Sequence, residues 1–236
     1  MMQINCIWEH NGADSLLYAE NFIGAFTRGE SLDVAKSKMH AEIWSYMNWT
    51  GKSEDFSENI VVHIRQEKES DLEISDADSD VLFDAERSPL TLEEYMQIKA
   101  LVIKSAEDFY RLYQSIPDKN KSELAIRKTF YGQVPRTAEE MYLHTKSVNS
   151  YYFAEIDVDA DNDGTIVECR KRGFELLEQT ENFLENQVIE GSYGELWSLR
   201  KMMRRFIWHD RIHAKAMWRM VNRTFPECEI ENVFYF

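Results

Sequence analysis

Apolar residues recur with two different periods along this chain of 236 residues, and the change of period divides it. Near the start, Gln3 to Glu9 and Ser15 to Phe22 read as short strands joined by the turn His10-Asn11-Gly12, where Asn-Gly supplies the positive φ of a hairpin. Ser31 then offers an N-cap to a helix through Trp49, because Leu32, Ala35, Met39, Ile43 and Tyr46 fall on one helical side. Gly51 ends that helix. The β-branched run Asn59 to Arg65 returns as a strand, which makes a β-β-α-β unit. Residues 66 to 89 then lose all periodicity, gain many acids and close on Pro89, the pattern of a solvated connector with one short strand at Val81 to Phe83. Two domains are expected, 1–85 and 86–236.

The second half is patterned for helices. Thr91 with Glu94 forms a capping box before a helix to about Ile116, with Tyr95, Ile98, Val102, Phe109 and Leu112 inward and Pro117 as its stop. Thr137 with Glu140 repeats the box before a second helix, and Ser192 with Glu195 repeats it before the last. Between them, Thr165 to Asn186 places Ile166, Cys169, Phe174, Leu177 and Phe183 at loosely helical spacing interrupted by Gly173. Four such amphipathic helices predict a four-helix bundle, and the chain as a whole reads as α+β.

One polar feature breaks the apolar stripes. On the last helix Met202, Phe206, His209, His213, Met217 and Met220 share a side, so two imidazoles point where a core belongs. His144 does the same within Met141, His144, Val148 and Tyr151. Histidines at i and i+4 reach one ion, and a third from a facing helix completes a three-nitrogen cap that leaves a coordination position open. Zn2+ or Ni2+ at ~2.0 to 2.1 Å suits neutral imidazoles. Such an ion lowers the pKa of a bound water toward ~7 or holds a thiol as thiolate, so hydrolysis and thiol transfer are both accessible. Glu155, Tyr151, Tyr152 and Asp210 are near along the helices, but none is assigned as catalytic, and Asp210 is rotated toward the expected solvent side. His10, His40 and His63 share no face.

Composition narrows the function. A formal charge of −15 opposes binding to nucleic acid or to an anionic membrane. Three cysteines without a CxxC pair indicate neither a disulfide framework nor a thiolate zinc site. With no leader pattern and no apolar run near the ~18 residues of a membrane span, a cytoplasmic location is expected. Asp159, Asp161, Asp163 and Gly164 reproduce the opening of an EF-hand loop, but Arg170 stands where the closing bidentate Glu belongs, so a solvated acidic turn is the expectation. The last helix carries Arg200, Lys201, Arg204, Arg205, Arg211, Lys215, Arg219 and Arg223, which are expected to pair with other helices or a partner subunit.

Two resemblances add to this reading. Gly24, Thr27, Gly29, Glu30, Ser31, Leu32 and Ala35 resemble the helix start of the HicB-like family over about thirty residues, which implies a partial ribonuclease H-like fold; HicB antitoxins also carry a DNA-binding segment, which has no counterpart here. From about residue 89 to 236 the chain resembles the DinB-like metal-binding four-helix bundles, with one histidine on the second helix and a His-x-x-x-His pair on the fourth. That resemblance implies His144, His209 and His213 as ligands of a divalent metal. Family members with known activity act on low-molecular-weight thiols, as transferases or a mycothiol-dependent isomerase. The expectation is therefore a metal-dependent enzyme of hydrolysis or thiol transfer acting on a small molecule; the alternative is a noncatalytic binding or regulatory protein with the bundle as scaffold. Pairing of such bundles through helices, and the aromatic end Val233, Phe234, Tyr235 and Phe236, point to a homodimer.

Overall fold

Strands β1 (Met2–Asn11) and β2 (Asp14–Ala19) form the expected hairpin in a computed structural model that describes residues 1–129 and 132–236. Asn11 pairs with Asp14, so the loop is Gly12 and Ala13, one residue later than the Asn-Gly signal placed it. Gly12 takes the positive φ of 57° there. β3 (Phe26–Gly29), a strand the alternation did not reveal, pairs antiparallel with β2. α1 (Leu32–Trp49) crosses to β4 (Ile60–Glu69), which lies parallel to β1, and the sheet order is β3-β2-β1-β4. The start of α1 is a steric lock. Thr27 Oγ1 donates to the Ala35 carbonyl at 2.8 Å, Ser31 Oγ accepts from Val34 N–H, and a Cβ on Gly29 would lie 2.6 Å from Ala35 N.

The chain divides into two units, Met1–Phe83 with Phe234–Phe236, and Asp84–Val233. In the first, Ser15 to Ala19 are all buried, so β2 is covered on both faces. α1 covers one; on the other, Phe83 meets the Tyr18 ring at 5.4 Å. The connector is therefore not a solvated linker throughout, and Val81 to Phe83 are buried without pairing as a strand. Its anchor is Glu9, which accepts from Ser79 Oγ at 2.5 Å and from Asp80 N–H at 3.2 Å, while Tyr18 OH donates to Ser79 Oγ at 2.6 Å. Phe234 is buried as well, its ring 5.3 Å from that of Trp49 and its carbonyl accepting from Ser45 Oγ at 2.8 Å. Of the aromatic end only Tyr235 is largely exposed.

The second unit runs α2 (Leu92–Ser115), a small hairpin β5 (Lys128–Thr129) and β6 (Gly132–Gln133), α3 (Ala138–Ala154), α4 (Ile166–Leu177), a second hairpin β7 (Ile189–Glu190) and β8 (Leu196–Trp197), and α5 (Leu199–Thr224). Capping boxes at Thr91/Glu94 and Thr137/Glu140 start α2 and α3. The third box is Thr165/Glu168, on α4. Ser192 instead sits in the tight turn of the β7–β8 hairpin, Glu195 pairs with Lys201 at 2.8 Å, and Ser198 caps α5. α4 stops nine residues short of Asn186 because Asn182 and Asn186 take left-handed backbone, φ 58° and 54°, around a single 3-10 turn. Gly173 lets α4 approach α3, since a Cβ there would lie 2.1 Å from the Phe153 ring. Rings join the four helices: Phe109 with Tyr142, Tyr95 with Phe174, and Phe153 with both Phe174 and Phe206. Among the described residues no helix is long and apolar enough to cross a membrane.

Two outcomes follow from these contacts. Gly173→Ala should lower unfolding stability by about 1 to 3 kcal/mol through overpacking, measured by urea denaturation. Burial raises the Glu9 carboxyl from about 4.5 to about 7, with its hydrogen bonds as smaller, opposed effects. A folded pKa above the unfolded one gives stability that is present below about pH 4.5 and is lost as pH rises through about 7. Glu9→Gln should flatten that fall; a urea midpoint that declines between pH 5 and 8 as steeply as before would contradict the assignment.

Candidate metal centre

α3 and α5 run antiparallel, so that residues ascending one meet residues descending the other. Tyr152 packs on Phe206, and eight residues back His144 meets His213. The three imidazoles converge: ring centroids are 5.2 Å apart for His144 and His209, 4.6 Å for His144 and His213, and 4.5 Å for His209 and His213. One nitrogen from each lies within 4.8 Å of the others, and no other group of three potential ligands gathers among the described residues. Two nitrogens bound to one tetrahedral Zn2+ lie about 3.3 Å apart, so ring movements of a little under 1 Å each bring all three onto one ion. Burial is graded across the cluster. His209 is 8% exposed, His213 is half-buried and His144 is exposed, so the cluster opens to solvent on the α3 side.

Electrostatics keep these rings in the form that binds metals. Desolvation lowers His144; desolvation, then the other two histidines and Arg205, hold His209 well below its usual value; desolvation and His144 bring His213 down to about 3. All three are neutral at pH 7, with lone pairs available. Nδ1 of His209 is buried with no hydrogen-bond partner. A buried, acceptor-capable nitrogen left without a donor is costly in a finished core and natural in a ligand set.

The neighbours sort differently from their order in sequence. Asp210 does not face water. It is fully buried and meets Arg170 in a two-pronged pair, Nη1 to Oδ2 at 3.3 Å and Nη2 to Oδ1 at 3.4 Å. Arg170 also donates to Asn149 Oδ1 at 3.1 Å and lies 3.7 Å over the Phe206 ring. The residue that spoils an EF-hand loop is thus a core ion-pair member joining α3, α4 and α5. Asp161 serves the turn, accepting from Arg172 and from Asp163 N–H at 2.8 Å. Glu155 accepts from Ser192 N–H at 2.7 Å beneath Gly191, where a Cβ would meet its carboxylate at 1.8 Å, so it fastens the β7–β8 hairpin. Tyr151 is 37% exposed and touches Trp197, whereas Tyr152 sets its ring edge-on to His209 at 6.0 Å. His10 stacks on Trp8 at 4.1 Å and His40 faces Glu58 at 3.2 Å, both outside the cluster.

Arg205 was expected only as one of several cations of the last helix. It stands one turn before His209, its guanidinium 4.7 Å from the Trp208 ring and 5.8 Å from that of Tyr152. The i−4 spacing from a candidate ligand was the available signal. Lys201, a turn earlier, is buried against Glu195 and the Leu196 carbonyl, and desolvation brings it down to about 8.

Because the unfolded histidines titrate near 6.5 and the folded ones lower, the unfolded chain binds more protons between about pH 6.5 and 3. Stability of metal-free protein therefore falls as pH falls through that window. His213→Gln should make urea midpoints less sensitive to pH between 6 and 4, and an unchanged slope would mean that this ring is not desolvated. Comparisons with protein-family models, with curated proteins and with solved structures find no match to this chain.

Proposed function

We propose that His144, His209 and His213 hold one divalent ion, Zn2+ or Ni2+, and that the protein is a metal-dependent enzyme of hydrolysis or thiol transfer acting on a small molecule. The observation that carries this reading is the convergence of three neutral imidazoles from two helices, one with an orphaned buried nitrogen. When bound, such an ion supplies a Lewis acid that acidifies a coordinated water toward ~7 or keeps a coordinated thiol deprotonated. The chain does the rest. His209 and His213, one turn apart on α5, present two donors from a rigid element, and His144 supplies the third from the solvent side, leaving the approach to the cluster open. Tyr152 walls the buried side of His209, and Arg205 keeps a positive charge a turn away that discourages protonation of the ligand. No carboxylate joins the ligand set, so the ion would keep its full charge for the substrate.

A DinB-like bundle joined to a HicB-like sheet unit is the family reading that fits this layout, with one histidine on the second of four helices and two on the fourth, and with the Thr27-Gly29-Ser31-Ala35 lock at the start of α1. The first unit would then serve substrate selectivity or as a dimer surface. A homodimer and a low-molecular-weight thiol cosubstrate belong to the same proposal.

Protein prepared without chelator or immobilised-metal chromatography, then titrated with Zn2+ by calorimetry, should take up one equivalent. His209→Ala and His144→Ala should each weaken binding by at least about 100-fold, beyond the loss usual for outer partners of a metal. Absence of stoichiometric uptake, or identical isotherms for both variants and the unsubstituted chain, would remove the basis of the enzyme reading and leave a helical scaffold.

A further inference from the structure

In the first unit Glu9 stands opposite Leu16 on β2 and Lys68 on β4, and Ile7 stands opposite Tyr18 and Gln66, so register puts these side chains on one face of the sheet. The end of the connector is fastened to that face. Glu9 accepts from Ser79 Oγ and from Asp80 N–H, Tyr18 OH donates to Ser79 Oγ, Gln66 Nε2 donates to the Leu82 carbonyl at 3.0 Å, and Lys68 pairs with Asp80. Residues 70–75 are held differently. Ser70 N–H donates to the His10 carbonyl at 2.8 Å, Asn11 Nδ2 to the Leu72 carbonyl at 3.0 Å and Arg28 Nη1 to the Ser75 carbonyl at 2.9 Å, and none of these acceptors titrates. Between the two stretches Ala77 takes left-handed backbone, φ 66°, which an alanine keeps only where its surroundings impose it. Ala77 is therefore where the chain can swing if residues 79–83 leave the sheet.

Glu9 is the weak point of this fastening. Its side chain has no exposure to solvent, and among the described residues the one cation within ion-pair reach of it is Lys68, at 3.9 Å and closer to Asp80. A buried carboxylate so thinly compensated is costly, and such a group keeps a proton instead. The ionisable side chains that face Glu9 within the first unit are Lys68 from β4, Asp80 from the connector and, through Ser79, the Tyr18 phenol from β2. Burial is the largest effect and raises the Glu9 carboxyl to about 7, with Lys68 opposing it. Lifting the connector readmits water and returns the carboxyl toward 4.5, so ionisation favours the lifted form and protonation the fastened one.

We propose that residues 76–83 form a pH-operated latch, held on the sheet while Glu9 keeps its proton and freed to swing about Ala77 once Glu9 ionises. Release uncovers Ile7, Leu16 and Tyr18 and loosens the peptide that ends at the boundary between the units, Phe83 to Asp84. The latch works within the first unit and does not rest on the metal reading above.

Amide hydrogen exchange of the full chain, corrected for the pH dependence of intrinsic exchange, reads the opening. The Asp80 N–H, bonded to the Glu9 carboxyl, should open roughly 25-fold more at pH 8 than at pH 5.5, the ratio required of a carboxyl that titrates near 7 when fastened and near 4.5 when lifted. Urea below the unfolding transition should leave that opening unchanged, because a local swing exposes little surface, while the Ser70 N–H stays better protected. In Glu9→Gln the Asp80 amide should lose its pH dependence. No rise at Asp80 in the unsubstituted chain, or the same rise in Glu9→Gln, would overturn the latch. So would one opening shared by Asp80 and Ser70 and raised together by urea, since the connector would then come away only with the whole unit. Should Glu9→Gln not fold, Lys68→Met serves in its place: loss of the opposing cation should carry the rise to higher pH, and an unmoved rise overturns the assignment to Glu9.

Discussion

Arg170 of α4 and Asp210 of α5 face each other without solvent, and the setting of α5 in the bundle depends on that pair. Two charges withdrawn from water are stable only with good geometry and further hydrogen bonds, which Asn149 and the Phe206 ring face supply. Removing one partner from such a pair typically costs about 3 to 5 kcal/mol, so the rotation of α5 about its axis is strongly fixed. His209 and Asp210 are adjacent and therefore about 100° apart on the helix. A single setting of α5 serves both: Asp210 turned to α4 and Arg170, His209 turned to α3 and His144. A slip of one residue would leave a buried charge unpaired and the imidazoles out of reach of one another.

The N-terminal half of α5 makes the same demand more widely. Every residue from Lys201 to Arg211 is buried, so this stretch has no solvent face on which to place its cations. Cations at a helix N-terminus are also disfavoured by the helix dipole. Three cations at its start are compensated within the second unit: Arg200 by Glu94, Lys201 by Glu195, and Arg204 by Glu86 with Asn186 and Ser198 fastening the same segment. Beyond His213 the helix emerges, its cations sit where the dipole favours them, and Arg219 has no such carboxylate among the described residues. The histidine cluster lies at the border between the buried and the open halves. That position gives it both desolvated imidazoles and an approach from solvent.

Much of this was legible in the sequence, and the exceptions have physical causes. The helix caps at Ser31, Thr91 and Thr137, the Gly51 stop and the inward stripe through His209 and His213 follow from local rules that tertiary contacts did not override. β3 escaped because a strand of four residues shows too little alternation to be seen. The Ser192/Glu195 pattern misled because a Ser three residues before a Glu also occurs in turns, and only the left-handed backbone of Tyr193 and Gly194 distinguishes the two. Asp210 was placed in solvent because a stripe drawn on one side assumes that the opposite side is wet, which fails for a helix buried all round. Acidity, weak periodicity and a closing proline marked the connector as solvated, although Ser79 to Phe83 cover the second face of β2.

Three imidazoles from α3 and α5 are proposed to bind one ion and leave room on it. X-ray absorption at the zinc edge of the loaded chain reads that shell. Three imidazole nitrogens at ~2.0 to 2.1 Å with one or two additional light-atom ligands are expected, with one imidazole lost in His144→Ala. A shell dominated by sulfur at ~2.3 Å, or by oxygen with no imidazole scattering, would contradict it.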